Sequence, residues 1–389
     1  MTSPNAITTT PNANAPVQEQ IYTDAIPYFD AIISAIHAAQ FQVDMEVYIF
    51  ESNDIGAKVA SALLNAAKRG VTVRLMVDGM GIDDQFPTLA QKLINDGVQL
   101  RIFRPLPWRV REWRFSRFGL PWLSKLWYLT SSVNRRNHRK MLLIDNHLIW
   151  LGSINISQNH FPQAFGGKGW RDTAIKITST KLTLPREAFE VNWNALKLKH
   201  RKALNRRFIH SEYLFNFTRG LRAARSRKLI AQLDHAKQCI WLSNAYFFPD
   251  SRLLRRLESA GKRGVDVRLL LPEKSDVFFM PWVASLFYPR LLNAGVLIYA
   301  YRPTVLHAKT MIIDDWATIG SSNLNQRSFM QDLEVDYCIQ CPENVQQLKS
   351  SFELDTQQAE VLNETALRKN KRWQRWLGAL ALLLFRPWL

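Results

Sequence analysis

The sequence predicts an α/β fold built twice, its two halves related by a pseudo-twofold axis. Three observations carry that prediction. Val47-Tyr48-Ile49-Phe50, a helix-like stretch and the run Lys68-Arg69-Gly70-Val71-Thr72-Val73-Arg74-Leu75 recur as Ala245-Tyr246-Phe247-Phe248, a helix-like stretch and Lys262-Arg263-Gly264-Val265-Asp266-Val267-Arg268-Leu269. In each copy a strand leads into an amphipathic helix stopped at Arg-Gly, and an apolar β-branched run follows, which is the order of a βαβ unit. Downstream, His138-Arg139-Lys140 runs to Asp145 and Gly152-Ser153-Ile154-Asn155, and His307-Ala308-Lys309 runs to Asp314 and Gly320-Ser321-Ser322-Asn323. Self-similarity on this scale constrains architecture more than any local propensity does.

The elements follow in chain order. At 389 residues the chain suits two domains or a duplication. Met1 to Gln20 is rich in Thr, Asn, Pro and Ala, without the basic and apolar regions of a leader, and is expected to be disordered. The first half is expected over 21–180 and the second over 223–365, joined by a basic linker over 181–222 and followed by a tail over 366–389. Further helix stops fall at Gly97-Val98 and Gly295-Val296. From Gly295 the chain reaches His307 at once, whereas between Gly97 and His138 lies an insertion, 104–133. Asp314 to Gly320 is one residue shorter than Asp145 to Gly152, a difference that a tighter hairpin absorbs.

Composition narrows the function classes. Fifty-one Lys and Arg against 33 Asp and Glu leave a formal charge of +18, which calls for an anionic partner. Thirteen Trp suit surfaces that are apolar on one side and wet on the other. A disordered chain, a disulfide scaffold and a collagen-like fibre are excluded. Cys338 and Cys341 form a C-x-x-C pair with no second pair beside it, on a strand-like stretch, and read as reduced thiols, as does Cys239. No apolar run approaches the roughly 18 residues of a membrane span.

The repeated motif carries chemistry. On a strand, His138 and Lys140 share a face, as do His307 and Lys309, so apposed halves would enclose two imidazoles and two ammonium groups. Phosphodiester exchange needs a nucleophile, a general acid and cations around the developing phosphorane. One His attacks phosphorus, the other protonates the departing alcohol and then activates the incoming one. Lys140 and Lys309 would hold the non-bridging oxygens, with Asn155, Asn323, Ser153 and Ser321 as phosphate-binding or supporting groups. Asp145 and Asp314 complete the motif, yet strand parity turns them to the opposite face, where they organise the turn. Asp172 and Glu334, each downstream of its half's own His, are the carboxylates expected to orient the imidazoles. The histidines outside the motif, His160 among them, read as surface or satisfied side chains. No cluster has metal-ligand spacing, and the chemistry needs neither metal nor cofactor.

The paired H-x-K-x-x-x-x-D and G-S-x-N motifs resemble those of the phospholipase D superfamily, from about residue 21 to 360. Asn244-Ala245-Tyr246-Phe247-Phe248-Pro249 and Gly320-Ser321-Ser322-Asn323-Leu324 are similar to the bacterial cardiolipin synthase B branch. The resemblance implies two phospholipase D-like halves, each a mixed β-sheet flanked by helices, with the active site at their interface. It implies His138, Lys140, Asp145, His307, Lys309 and Asp314 as the catalytic set, with the first-half His as nucleophile. It further implies transfer of a phosphatidyl group to phosphatidylglycerol through a phosphohistidine. A hydrolytic phospholipase D and a nuclease of the same superfamily are the alternatives, the latter because +18 also suits nucleic acid.

Lipid is favoured by the insertion and the tail. The insertion interleaves Trp108, Trp113, Trp122 and Trp127 with Arg109, Arg111, Arg114, Arg117 and Lys125, as an interfacial surface does. In the tail, Arg368, Lys369, Lys371, Arg372 and Arg375 precede the short apolar run that opens at Trp376. The linker is expected to be a solvated basic helix. Anionic phospholipids and a membrane surface are the expected partners, with no specific nucleic acid, and the expected location is peripheral, on the cytoplasmic face of a bacterial inner membrane.

Overall fold

The computed structural model describes residues 17–116, 134–194, 201–363, 377–380 and 382. The first half runs β1 (Gln18–Tyr22), α1 (Ala25–Ala38), β2 (Gln42–Phe50), α2 (Asp54–Lys68), β3 (Thr72–Ile82), α3 (Phe86–Asn95), β4 (Gln99–Phe103), β5 (Met141–Ile144), β6 (Leu148–Gly152), β7 (Ala174–Thr178) and α4 (Thr183–Trp193). The second begins α5 (Arg201–Ile209), β8 (Tyr213–Phe215), α6 (Arg219–His235), β9 (Cys239–Ser243), α7 (Ser251–Lys262), β10 (Asp266–Pro272), α8 (Met280–Ser285), α9 (Tyr288–Leu292) and β11 (Leu297–Tyr301). It ends β12 (Thr310–Ile313), β13 (Trp316–Gly320), α10 (Gln326–Met330), β14 (Val335–Cys338), α11 (Pro342–Gln357) and β15 (Ala359–Leu362).

Among the described residues the strands form two sheets, ordered β1-β7-β6-β5-β2-β3-β4 and β15-β11-β10-β9-β12-β13-β14-β8. β2 and β3 pair in parallel, as do β9 and β10, while β5 joins β2 and β12 joins β9 antiparallel, so each sheet is mixed. The repeat explains the local structure. Helix α2 starts at Asn53, whose Oδ1 accepts from Gly56 N at 3.3 Å, and its counterpart α7 starts at Asp250, whose Oδ1 accepts from Leu253 N at 2.8 Å. Each strand of the motif hairpin is buried on both faces. Leu142 and Ile144 enter a core under α1 and α2, whereas Met141 and Leu143 enter a core shared with Ile312, Ile319, Val335 and Tyr337 of the other half. Met311 and Ile313 meet α6 and α7 in a third core. The sheets therefore sit face to face, with helices on the outer faces.

Two boundaries read from the sequence are corrected. Residues 18–20, expected in a disordered tail, are strand: β1 pairs antiparallel with β7 from Gln18↔Thr178 to Tyr22↔Ala174. The linker likewise contains β8, paired with β14, and α4 buries Phe189 and Trp193 rather than being solvated. β1 stands before α1 and flanks β7, and β8 stands before α6 and flanks β14, so each repeat unit starts one strand and one helix earlier than the motif indicates. Ile21 and Tyr22 of β1 and Tyr213, Leu214 and Phe215 of β8 are buried, but runs this short show no legible alternation.

Two tail residues, Gly378 and Leu382, rest on the body. Gly378 comes against the Trp282 carbonyl closely enough that a Cβ would lie 2.4 Å from it, and Leu382 packs on the cluster of Phe248, Met280 and Val283. No helix among the described residues is long and apolar enough to cross a membrane.

Candidate active site

The motif histidines stand just before β5 and β12, in extended segments rather than in the strands themselves. What holds those segments is the other half. Leu333 N donates to Arg136 O at 2.8 Å and His138 N to Leu333 O at 2.9 Å, while Arg171 N donates to Val305 O at 2.9 Å and His307 N to Arg171 O at 2.8 Å. Each His-bearing segment thus zips onto the segment that opens the last motif strand of the opposite half.

That pairing exchanges the carboxylates. His138 Nδ1 lies 3.1 Å from Glu334 Oε2, and His307 Nδ1 lies 3.0 Å from Asp172 Oδ2. The sequence reading attached each carboxylate to the His of its own half; the structure corrects this, because the bridging backbone sets the partner. With Nδ1 occupied, each Nε2 is left for the cleft.

His138, His307, Asn155 and Asn323 line one cavity of about 520 Å³ between the halves. Asn155 Oδ1 accepts from Ile49 N at 3.2 Å, and its buried Nδ2 has no partner. Tyr48 meets the His138 ring edge-on with centroids 4.8 Å apart, and Tyr246 takes the equivalent place at His307, 6.4 Å away. The rim carries Met80, Ile82, Val277, Phe279 and Met280.

Lys140 and Lys309 lie beneath the imidazoles. Their Nζ atoms donate to the carbonyls of His138 at 2.9 Å and His307 at 2.5 Å. Burial and then the facing Lys309 pull Lys140 down to about 7, and burial pulls Lys309 down to about 8 although Asp172 opposes it. Burial, with Lys140 and Lys309 adding to it, holds His138 well below the usual imidazole range. His307 is also lowered by burial, against the pull of Asp172.

Asp145 and Asp314 stand outside the cleft, although the motif groups them with the catalytic residues. Asp145 accepts from the backbone N–H groups of Gln40, Phe41 and Gln42, and Asp314 from those of Lys237, Gln238 and Cys239. Each pins the entry of the adjacent central strand, from a left-handed backbone with φ of 49° and 53°. The one-residue difference between the motifs falls here: Ile144 pairs with Leu148, but Ile313 pairs with Trp316.

Ser153 and Ser321 also face away from the cavity. Ser153 Oγ donates to Thr173 O at 3.0 Å, whereas Ser321 Oγ donates to Glu334 Oε2 at 2.5 Å. The preceding glycines admit this approach: a Cβ on Gly320 would lie 2.0 Å from Asp336 Oδ1, and one on Gly152 would lie 2.5 Å from Thr173 O.

Sequence reasoning missed His160 and Ser328, each five positions after its motif Asn. Asn155 N donates to His160 Nε2 at 3.1 Å, and His160 Nδ1 meets Asp172 at 2.9 Å. Asn323 N donates to Ser328 Oγ at 3.2 Å, and Ser328 Oγ donates to Glu334 Oε1 at 2.6 Å. Their equal offset was visible, but unlike residue types hid it. The result is asymmetric. Burial would raise Asp172, yet His307 and His160 hold it well below the carboxylate range, whereas burial leaves Glu334 raised. Arg327 and Asp332, paired at 2.7 Å on the cleft wall, were missed as well.

Of the tryptophans read as interfacial, Trp108 is exposed, while Trp113 is half-buried, its Nε1 donating to Leu106 O at 3.2 Å. The reason is local: Phe115 and Glu112 are buried, and a short 3-10 turn over Val110–Phe115 folds this part of the insertion onto the body. Trp122, Trp127 and Trp376 lie outside the described residues.

Comparisons with known proteins agree with this fold. The chain is 28% identical over 381 residues to cardiolipin synthase 1 of Bacillus anthracis, covering 94% of this chain and 71% of that one. It is 29% identical over 377 residues to cardiolipin synthase B of Salmonella typhi, covering 94% and 86% respectively. Its fold matches a crystal structure of phosphatidylserine synthase from Haemophilus influenzae Rd KW20 with a TM-score of 0.68 at 13% identity, over 95% of this chain and 94% of that one. A family model described as cardiolipin synthase, PLD-like domain, matches residues 32–193 and 229–356, one stretch in each half, and the chain belongs to that family.

Proposed function

We propose that the chain is a phosphatidyltransferase of the cardiolipin synthase type, moving a phosphatidyl group from one phospholipid onto phosphatidylglycerol through a phosphohistidine. The observation that carries the reading is the pair of imidazoles facing one cavity, each with Nδ1 on a buried carboxylate of the opposite half. The cognate names of the relatives and the apolar rim support lipid over nucleic acid as substrate.

In this reading His138 is the nucleophile. Held neutral by burial and two neighbouring ammonium groups, its Nε2 has a lone pair for phosphorus. Attack forms the P–N bond as the P–O bond to the departing alcohol breaks, and the proton on His307 Nε2 passes to that oxygen. Asp172, anionic and gripped by His160, opposes the burial that lowers His307 and so favours the protonated form that this step needs. The incoming hydroxyl then gives its proton to His307 and attacks phosphorus, and the P–N bond breaks. Lys140 and Lys309 supply positive charge beneath the phosphorane, and Asn155 Nδ2 is placed to donate to a non-bridging oxygen.

The test is product analysis by mass spectrometry with purified protein and phosphatidylglycerol vesicles. Cardiolipin is the expected product; phosphatidic acid alone would make the enzyme a hydrolase, and neither product would overturn the lipid reading. A phosphodiester with a nitrophenolate leaving group assigns the histidines. His307→Asn should still accumulate an acid-labile phosphoenzyme with it, and His138→Asn should not.

A further inference from the structure

On the face beside α6, away from the catalytic cavity, a pocket of about 630 Å³ is lined by Arg135, Arg219, Arg222, Asn205 and Thr218. No carboxylate of the described residues lines it. Arg135 Nη2 donates to Phe217 O at 3.2 Å and Arg222 Nη2 to Gln331 O at 3.2 Å, but Arg135 Nε and Arg222 Nε are buried with no acceptor. Among the described residues none of Arg135, Arg219 and Arg222 is in an ion pair. The crowding has an electrostatic cost: burial first, then Arg222, Arg104 and Arg139, pull the Arg135 guanidinium down to about 9. Cations crowded in this way, with only the partial counter-charge of Asp332, itself paired with Arg327, are stabilised by an added anion.

Beside the pocket lies a second space. Arg219 and Arg222 also line a groove of about 850 Å³, whose other walls include Leu229, Ile230, Phe329 and Met330, with Arg227 at its edge. Met330 is 63% exposed, a large apolar side chain left in water at the groove's open side. A guanidinium-lined pocket that shares Arg219 and Arg222 with a largely apolar trough, whose far wall carries Asp250 and Arg252, matches an amphiphile with a phosphate at one end and a hydrocarbon chain at the other.

We infer that this pocket and groove form a second phospholipid site, distinct from the catalytic cavity. It takes one anionic phospholipid with its phosphate on Arg135, Arg219 and Arg222 and an acyl chain along Ile230, Phe329 and Met330. Arg135 is followed directly by the segment that carries His138, and Gln331, which accepts from Arg222, lies next to Asp332 of the catalytic wall. The site is therefore also a clamp on the backbone that carries the nucleophile.

Isothermal titration calorimetry tests this with the full-length His138→Asn chain, which is blocked in turnover, and dihexanoyl phosphatidylglycerol below its micelle concentration. Two sites are expected. In the same background Arg219→Gln with Arg222→Gln should weaken one site at least about tenfold, since two charge-assisted hydrogen bonds to the phosphate are lost. Met330→Glu, at an exposed position where folding is not at risk, should weaken the same site and leave the other unchanged. A single site that is sensitive to these variants supports the inference while removing lipid from the cleft, so the two readings fail separately. A single site insensitive to them, or inorganic phosphate binding the arginine pocket as tightly as the lipid does, overturns it.

Discussion

Asp172 and Asp145 are the same residue type on the same half, and their surroundings give them opposite work. Asp172 faces two imidazoles in the interior, and Asp145 faces three backbone N–H groups at the start of a strand. Replacing Asp172 by Asn removes the charge that stabilises an imidazolium and frees the His307 tautomer, a change that costs about 10⁴ in rate in a serine protease triad. Asp172→Asn should therefore lower kcat by about 10³-fold or more with a small change in Tm. Asp145→Asn should instead cost about 1–3 kcal/mol of stability with most of the rate retained. Rate and melting curves on both variants check this, and the reverse ranking would defeat the assignment.

The lysines give a pH signature. Each acts as a cation, so its contribution is present below its pKa and is lost as pH rises through it. Lys140 at about 7 and Lys309 at about 8 lose their charge well below the ordinary lysine range. In the free enzyme kcat/KM should accordingly fall between about pH 7 and 9, whereas kcat should hold to higher pH because a bound phosphate favours both ammonium groups. A kcat/KM profile flat to pH 10 would show that neither charge is needed.

At the scale of elements, β1 does more than extend a sheet. Glu19 accepts from Tyr337 Oη at 2.7 Å, from Gln340 N at 2.8 Å and from Cys341 N at 3.2 Å, so the first strand of one half buckles β14 and α11 of the other. Glu19→Ala should lose about 1–3 kcal/mol by leaving those donors without their acceptor. The loss is read in urea unfolding, and an unchanged midpoint would mean that water replaces the carboxylate fully. The cap of α7 offers a comparison: Asp250→Ala removes a local acceptor and should cost about 1 kcal/mol.

Across the whole molecule, neither half owns a complete site. The shared core between the sheets and the exchanged backbone bridges at Leu333 and Arg171 tie the halves together before any ligand binds. Calorimetry should therefore show one cooperative unfolding transition, because opening the interface exposes Leu143, Ile149, Ile312 and Ile319 together. Two resolved transitions would show that the halves unfold independently. The tail is part of this scale too. Leu382 against Met280 and Val283 ties the tail to the cleft-lining helix α8, so truncation after residue 376 should lower Tm as well as vesicle binding. Vesicle binding lost with an unchanged Tm would instead make the tail an anchor alone.

What the sequence determined by itself follows from short-range periodicity and from repetition. The βαβ order, the helix stops, the motif hairpins and the strand parity of Asp145 and Asp314 are all local, since a strand's alternation and a cap's spacing are set within a few residues. The duplication located His138, Lys140, His307 and Lys309 because equal motifs in equal contexts must occupy equivalent places. Tertiary structure alone decided the rest. That Glu334 serves His138 and Asp172 serves His307 depends on which backbone segments zip across the interface, and no spacing within a half encodes a neighbour from the other half. β1 and β8 were hidden because strands of five and three residues are too short to show an alternating pattern, although Ile21, Tyr22, Tyr213 and Phe215 are buried once the sheets pair. His160 and Ser328 were hidden because a carboxylate can be held by an imidazole or by a hydroxyl, so one structural role was written in two chemistries.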